Sequence, residues 1–414
     1  MAIIVPFEAL RPAAQYARQV ASRPYDVLNT REAKQEAQGN PYSFLHITKP
    51  EIDLPEGTDP YAEEVYLKAR ENLQAFVQRN VLFRESKACY YIYQLVMNGR
   101  SQTGLVCASS VKDYENDVIK KHEFTRPEKE NDRIQHIRIS GAQTGNVFLA
   151  YRDVAELNEL VARWKAEKNP IYDFTADDGV QHTIWIVNDD ASIKSITALF
   201  KKQVPHTYIA DGHHRAASAA RVKTTLGKLA PRGAGYFLTT LFPASELQIL
   251  DYNRLVQDLH GLTPAGLLQK LEEDFTVEEA GEMPVRPEQP HVFGMFLDGR
   301  WYRLTAREGH FDAHDPIGVL DVSILSRLVL EKHLGIHDQR TDKRIDFVGG
   351  IRGLGELQQR VESGEMAVAF SLYPVSMEQL FAIADSGQVM PPKSTWFEPK
   401  LRDGLLTHLI ADPS

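Results

Sequence analysis

Residues 206–222 read HTYIADGHHRAASAARV. His206 to Ala210 is a short aromatic and β-branched run, extended by composition. Asp211-Gly212 is a turn, and Gly212 tolerates a sharp bend with close approach of backbone to a ligand. From His213 to Gly227 the composition is helical. A strand that enters a helix through glycine leaves the first helical N–H groups unpaired, and these groups and the helix dipole favour an anion. The side chains at the corner suit the same ligand. Arg215 offers a planar cationic fork for phosphate or carboxylate. His213 and His214 can donate to phosphate or exchange protons near neutral pH. Asp211 can hold a cation or position a hydroxyl. The plain alternative is an Asp-Gly turn before a helix with exposed histidines, but two histidines and an arginine in direct succession favour a phosphate-handling site. Adjacent helical residues point about 100° apart, so His213 and His214 do not readily share one metal. Magnesium held through nucleotide phosphates and a carboxylate, with Asp211 the candidate, fits better than a structural zinc.

Outward from this corner, extended and helical patterns alternate. Three hairpins are expected: Cys89–Met97 with Thr103–Ala108 about Asn98-Gly99, Ile171–Phe174 with His182–Val187 about Asp178-Gly179, and Val292–Leu297 with Trp301–Thr305 about Asp298-Gly299. Val147–Tyr151, Tyr236–Phe242 and Val368–Tyr373 read as strands, and Tyr42–Thr48 as extended. Asn29 with Glu32, Asp153 with Glu156 and Ser376 with Gln379 have capping-box spacing. Asp59-Pro60 and Thr263-Pro264 each place proline just inside a helix. Ala191–Lys202 and Leu320–Leu334 are helical, and the charged stretch Lys112–Asn131 is loop with some helix. Hairpins mixed with strand–helix units predict a mixed α/β (α+β) protein with mixed sheets rather than one parallel sheet. The division expected is a catalytic region over 1–245 and a C-terminal α/β region over 246–414, whose 390–405 segment returns to the site.

Composition narrows the function classes. Apolar residues at 43% and charged residues at 25% of 414 describe an ordinary globular chain, not a disordered or fibrous one. With 47 basic against 56 acidic residues the net charge is −9, which disfavours a nucleic-acid partner. Two cysteines, Cys89 and Cys107, exclude a disulfide framework and a cysteine-rich zinc site, and fit a reducing cytoplasm. No run approaches the ~18 apolar residues of a membrane span, and no signal peptide is expected.

Other segments carry candidate groups, each with a plain reading beside it. Lys393, Ser394 and Thr395 in PPKST offer one ammonium and two hydroxyls for phosphate, or form an irregular edge. Glu123 is a candidate general base with His122 beside it, or a solvated surface acid. Asp26 binds substrate or caps a turn. Arg254 takes a substrate carboxylate through its fork or makes an internal ion pair. There is no P-loop: GxxxxGK[ST] is absent, and GGIRG at 349–353 is not one.

The run Asp211-Gly212-His213-His214-Arg215 resembles the signature of domain-of-unknown-function family 1015. Supporting matches run through nearly the whole chain: VPFEALRP (5–12), PYDV (24–27), NPYSFLHI (40–47), KHEFT (121–125), DYNR (251–254) and MPPKSTWFEPKLRDGL (390–405). The Asp211–Arg215 corner also resembles that of free-serine kinases, enzymes with the fold shared by ParB nucleotidases and sulfiredoxin. That resemblance implies a ParB/sulfiredoxin-like core, with a second C-terminal α/β unit after it, and a phosphotransferase or phosphatase interconverting phosphoserine and serine. Asp211, His213, His214, Arg215 and Glu123 would be its catalytic set. Gly212, His122, Asp26, Arg254, Lys393, Ser394 and Thr395 would bind substrate and phosphate. Mg2+ and ATP or ADP would be its cofactors, a small phosphorylated molecule its partner, and the cytoplasm its place. A metal-dependent hydrolase of another phosphoester and a ParB-like, nucleotide-gated DNA-binding or adaptor protein are the competing expectations.

Overall fold

The computed structural model describes residues 1–312 and 314–411. The chain forms two compact units, one of Met1–Leu247 with the C-terminal residues from Pro399 on, the other of Gln248–Glu398. The second unit is therefore inserted into the first. No described helix is long and apolar enough to cross a membrane.

The first unit is built on a nine-stranded sheet. Its strands are Ile4–Val5 (β1), Tyr90–Met97 (β2), Arg100–Ser110 (β3), Ile119–Lys120 (β4), Val147–Tyr151 (β5), Tyr172–Thr175 (β6), Gln181–Val187 (β7), Thr207–Asp211 (β8) and Tyr236–Pro243 (β9). They lie in the order β4-β8-β5-β9-β3-β2-β7-β6, with β1 on β3. The β8–β4 and β9–β5 pairs are parallel and the others antiparallel. This is the mixed α/β architecture expected. The Asn98-Gly99 and Asp178-Gly179 hairpins form as read, with positive φ at Asn98, Gly99 and Gly179.

The helices of this unit are Thr30–Ala37 (α1), Glu63–Gln78 (α2), Pro127–Ser140 (α3), Ala155–Glu167 (α4), Asp190–Gln203 (α5) and His213–Leu226 (α6). Trp164 of α4, Ile196 and Phe200 of α5, and Ala216 and Ala219 of α6 belong to one apolar core with Tyr90, Ile92, Leu105, Leu149 and Leu241 of the strands. Burying each large side chain contributes about 1.5–3 kcal/mol. In α6 the run Ala216–Ala220 is wholly buried, and such small residues let the helix lie close to its neighbours.

Capping boxes form at Asn29–Glu32 and Ser376–Gln379. At Asp153–Glu156 none forms: α4 starts at Ala155 after Val154, and Asp153 instead accepts from the N–H and hydroxyl of Ser245. Residues 45–48 are also not extended, since Leu45–Thr48 is a short helix. Phe44, Leu45, Ile47 and Thr48 are buried and only His46 is half-exposed, and a run this short carries no period that separates strand from helix.

The second unit has a six-stranded sheet of Tyr252–Val256 (β10), Phe275–Gly281 (β11), Val292–Leu297 (β12), Arg300–Ala306 (β13), Ile345–Gly349 (β14) and Val368–Ser371 (β15). The order is β11-β13-β12-β15-β10-β14 and every pair is antiparallel. Its helices are Pro264–Leu271 (α7), Asp321–Leu325 (α8), Gly353–Glu362 (α9) and Met377–Asp385 (α10). Leu354 and Leu357 of α9 pack with Leu255, Phe296 and Trp301 of the sheet. The helix expected over 320–334 is α8 continued by a π-helical turn, Ser326–Glu331.

Candidate functional site

Parallel pairing of β8 with β4 builds the site. Thr207 stands opposite Ile119 and Tyr208 opposite Lys120, so the next residues of both strands, Asp211 on one and His122-Glu123 on the other, leave the sheet at the same end. On the other side of β8 a register shift between Ile209 and Asp211 sets Asp211 against Phe148. The chain then turns at Gly212, with φ +96° and ψ 32°, and enters α6 with no side chain capping the helix. A Cβ on Gly212 would lie 3.4 Å from the Cα of Val147 and 3.5 Å from Cδ of Arg215. Those distances are ordinary contacts, so the turn needs glycine for its conformation rather than for space.

His213 is buried at the first position of α6. Its Nε2 accepts the backbone N–H of His122 at 3.5 Å, and its Nδ1 lies 3.4 Å from Oε2 of Glu123. An Nε2 that accepts leaves the proton of a neutral ring on Nδ1, facing the carboxylate. The rings of His122 and His213 meet edge to face at 4.6 Å. Burial pushes His122 down to about 4, with Asp211 opposing. Burial and then the His122 ring hold His213 well below the ordinary histidine range. Both rings are neutral at pH 7. His214 is half-buried, and its Nε2 accepts the N–H of Arg126 at 3.0 Å. The segment carrying Glu123 is thereby pinned to both histidines. Glu123 itself keeps 43% of its side chain exposed.

Asp211 meets Lys400 at 3.0 Å, and its side chain remains 32% exposed. Burial would raise its pKa, but Lys400 and Arg215 hold it well below the usual carboxylate range. Arg215 is buried and engaged at both ends of its fork: Nη1 donates to the carbonyl of Asn146 and Nη2 to both oxygens of Asp26, while its buried Nε has no hydrogen-bond partner. Burial disfavours its charge, yet Asp26 and Asp211 more than offset this and its pKa rises. The fork therefore orders the corner, while both cations of the cluster already face carboxylates. What α6 presents to an anion is its uncapped first turn.

Three groups that sequence reasoning did not single out complete the cluster. Lys400 and Asp403 lie in the KLRDGL part of the 390–405 motif, and Asn146 precedes β5. Nothing in local spacing marks them: Lys400 and Asp403 act through the return of residues 399–411 to the first unit, and Asn146 through its backbone carbonyl. Asp403 is 2% exposed, and neither carboxylate oxygen has a hydrogen-bond partner. Burial, opposed by Arg215, raises its pKa to about 7. Close by, a cavity of about 20 Å3 is lined by Tyr25, Arg133, Thr144, Gly145 and Arg215, room for about one water.

The other expected residues stand in the second unit. Arg254 is fully buried on β10, donates to the carbonyls of Tyr252 and Pro392, and lies 5.2 Å from the Phe347 ring. Burial lowers its pKa to about 10. It ties the 391–395 segment to the sheet of that unit. Lys393 has a positive φ and its ammonium lies 5.8 Å from the Tyr252 ring. Ser394 is buried and donates to the carbonyl of Pro391 at 2.7 Å, and Thr395 is half-buried. The 390–405 segment is thus divided, with Lys393–Thr395 in the second unit and Lys400–Leu405 in the first.

Among the described residues, the one group of three histidine or carboxylate ligands within 4.8 Å of one another is Glu273, Asp274 and His333 of the second unit. Asp211 by itself suits a magnesium ion that takes most of its oxygens from phosphate and water.

No curated protein matches the chain. Among solved structures, a free serine kinase in complex with AMP is similar at 12% identity and TM-score 0.36, over 73% of this chain and 92% of its own. A conserved hypothetical protein from Pyrococcus furiosus is similar at 14% identity and TM-score 0.36, over 73% and 94%. A C-terminally truncated SbnI from Staphylococcus aureus is similar at 13% identity and TM-score 0.38, over 72% and 85%. Residues 4–323, more than half of the chain, match the family model described as a protein of unknown function, DUF1015, and the chain belongs to that family.

Proposed function

We propose that this protein moves a phosphoryl group between phosphoserine, or a related small hydroxy compound, and an acceptor that is water or ADP. The observation that carries the reading is the uncapped first turn of α6 beside an exposed carboxylate, Glu123, which faces a neutral buried histidine, His213. Phosphoryl transfer asks for little else from a protein: a cradle for the phosphate oxygens, charge to balance them, and a group that takes or returns one proton. The α6 N–H groups form the cradle. Asp211 and Lys400 stand at its edge, and Arg215 holds the corner through Asp26 and Asn146 as a positioning residue.

Glu123 serves as base in the direction of phosphorylation: serine Oγ gives its proton to Glu123 and attacks the γ-phosphorus of ATP, the new O–P bond forming as the bond from that phosphorus to ADP breaks. In hydrolysis the same carboxyl, protonated, gives its proton to the departing serine Oγ as the O–P bond breaks, while water attacks phosphorus from the opposite side and passes its proton to the phosphate released. The Nδ1–H of His213 keeps the carboxylate oriented. Magnesium bound by Asp211 and the phosphate oxygens would supply further charge neutralisation. Serine and phosphoserine are the pair to test first because the Asp211–Arg215 motif resembles that of free-serine kinases.

The test is ³¹P NMR of the purified protein with phosphoserine and Mg2+, with and without ADP. Inorganic phosphate without nucleotide identifies a phosphatase. Loss of phosphoserine only with ADP, as ATP appears, identifies a reversible kinase. Phosphoserine intact in both tubes overturns the serine assignment.

A further inference from the structure

We propose that Glu273, Asp274 and His333 of the second unit form a binding site for a zinc-class divalent cation, a site apart from the phosphate corner. Glu273 and Asp274 lie between α7 and β11, and His333 follows the π-helical turn Ser326–Glu331. One ligand atom of each lies within 4.8 Å of the other two. Asp274 and His333 are buried, His333 at 7% exposure, and His333 Nε2 is enclosed without a hydrogen-bond partner. A buried imidazole that comes within 4.8 Å of two carboxylates and has a buried ring nitrogen without a partner invites a bound cation.

The surroundings already favour positive charge. Lys332 places its ammonium 2.6 Å from Oδ2 of Asp274 and 3.0 Å from Oε2 of Glu273, and His310 Nδ1 lies 2.8 Å from Oδ1 of Asp274. The lysine stands where a metal would, but its side chain is 39% exposed and can swing to water. Lys270 is the other nearby cation, acting on Glu273 and His333 from α7. An imidazole with two carboxylates is a zinc-type set, whereas magnesium and calcium favour oxygen alone. Tetrahedral zinc draws ligand atoms to about 3.3 Å of one another, from its bond lengths of about 2.0–2.1 Å. The three ligand atoms, now within 4.8 Å of one another, draw together once the ammonium leaves, and water completes the coordination.

The test is isothermal titration of the untagged full chain with ZnCl2 at pH 7 in excess Mg2+. One zinc per chain is expected, with no calcium counterpart. His333→Ala and Asp274→Asn should weaken binding at least tenfold, and Lys332→Ala should tighten it at least tenfold by removing the competing ammonium. If the buried variants fail to fold, Glu273→Gln on the exposed ligand gives the same weakening. Less than one zinc per wild-type chain, unchanged affinity in folded His333→Ala or Glu273→Gln, or weaker binding in Lys332→Ala would overturn the site. Phosphoserine turnover has no bearing on any of these outcomes.

Discussion

Asp26 and Arg215 lie 189 residues apart in the chain, and Arg215 Nη2 stands 2.8 and 2.6 Å from the two oxygens of the Asp26 carboxylate. This pair fixes the start of α6 against the N-terminal segment, since the other arm of the same guanidinium holds the carbonyl of Asn146. Arg215→Ala is expected to destabilise the protein by about 3–5 kcal/mol, the cost of breaking one side of a buried pair. Asp26→Asn, with its carboxylate partly in water, should cost less. Arg215→Lys should not rescue, because one ammonium cannot bridge Asp26 and the Asn146 carbonyl in the same geometry. Chemical denaturation of the three variants checks this, and equal midpoints for Arg215→Ala and wild type would refute it.

Lys400 carries the second cation of the corner. Lys400→Met removes the charge that keeps Asp211 ionised, so the Asp211 pKa should climb back toward the ordinary range. Turnover of the phosphorylated substrate is expected to fall by about 10²-fold, the scale of losing one charge-stabilising group. A steady-state assay with a circular-dichroism control separates this from unfolding. Wild-type turnover in a folded Lys400→Met would remove Lys400 from the site.

Gly212 has a backbone conformation that an L-residue adopts at a cost of about 1–2 kcal/mol. A Cβ there would make only ordinary contacts with Val147 and Arg215. Gly212→Ala should therefore lower stability by about that amount and shift the first turn of α6. A thermal melt with a phosphate-binding titration reads both effects.

Asp403 gives a pH signature of definite sign. Its folded pKa, about 7, lies above the unfolded carboxylate value. Its contribution to stability is full below about pH 4 and is lost as pH rises to 7. Relative to wild type, Asp403→Asn should gain stability steadily across that window. Melting temperatures at pH 4.5, 5.5, 6.5 and 7.5 measure the trend, and a constant difference between the two proteins would count against a neutral buried acid.

His122 and His182 behave oppositely. Burial lowers them to about 4 and about 3, so in the folded protein they stay uncharged while the unfolded chain takes up protons near 6.5. Their contribution holds above pH 6.5 and drains away as pH falls toward 4. Imidazole nitrogen shifts for these two rings should stay constant from pH 7.5 to 5.5, in a spectrum where exposed rings titrate.

Much of the architecture was legible because it is written in local chemistry. Asn98-Gly99 between two β-rich runs is a hairpin wherever it sits, and Asn29–Glu32 is a helix start that needs no distant partner. The Asp211–Arg215 corner was legible for the same reason: strand, glycine and helix adjoin in sequence. Illegible were features set by tertiary neighbours. Asp153 has capping-box spacing but finds Ser245. Leu45–Thr48 is one turn of helix with three of its four residues buried, too short to show a period. Arg215 looked like a phosphate ligand because its two partners are an acid 189 residues earlier and a carbonyl before β5. Lys400 and Asp403 came with a recognised motif, yet only the folded chain shows that they reach Asp211 and the surroundings of Arg215.

The inserted second unit has a consequence in time. Asp26, Glu123 and the α6 turn are all synthesised before residue 248, but Lys400 emerges only after the whole of Gln248–Glu398. At about 5–20 residues per second that interval is about 8–30 s. During it the nascent first unit holds Asp211 without its ammonium, and the strand pairing of His408–Leu409 with Ala142–Gln143 is missing. The corner thus gains its counter-charge last, and the activity proposed above belongs to chains whose translation has passed residue 400.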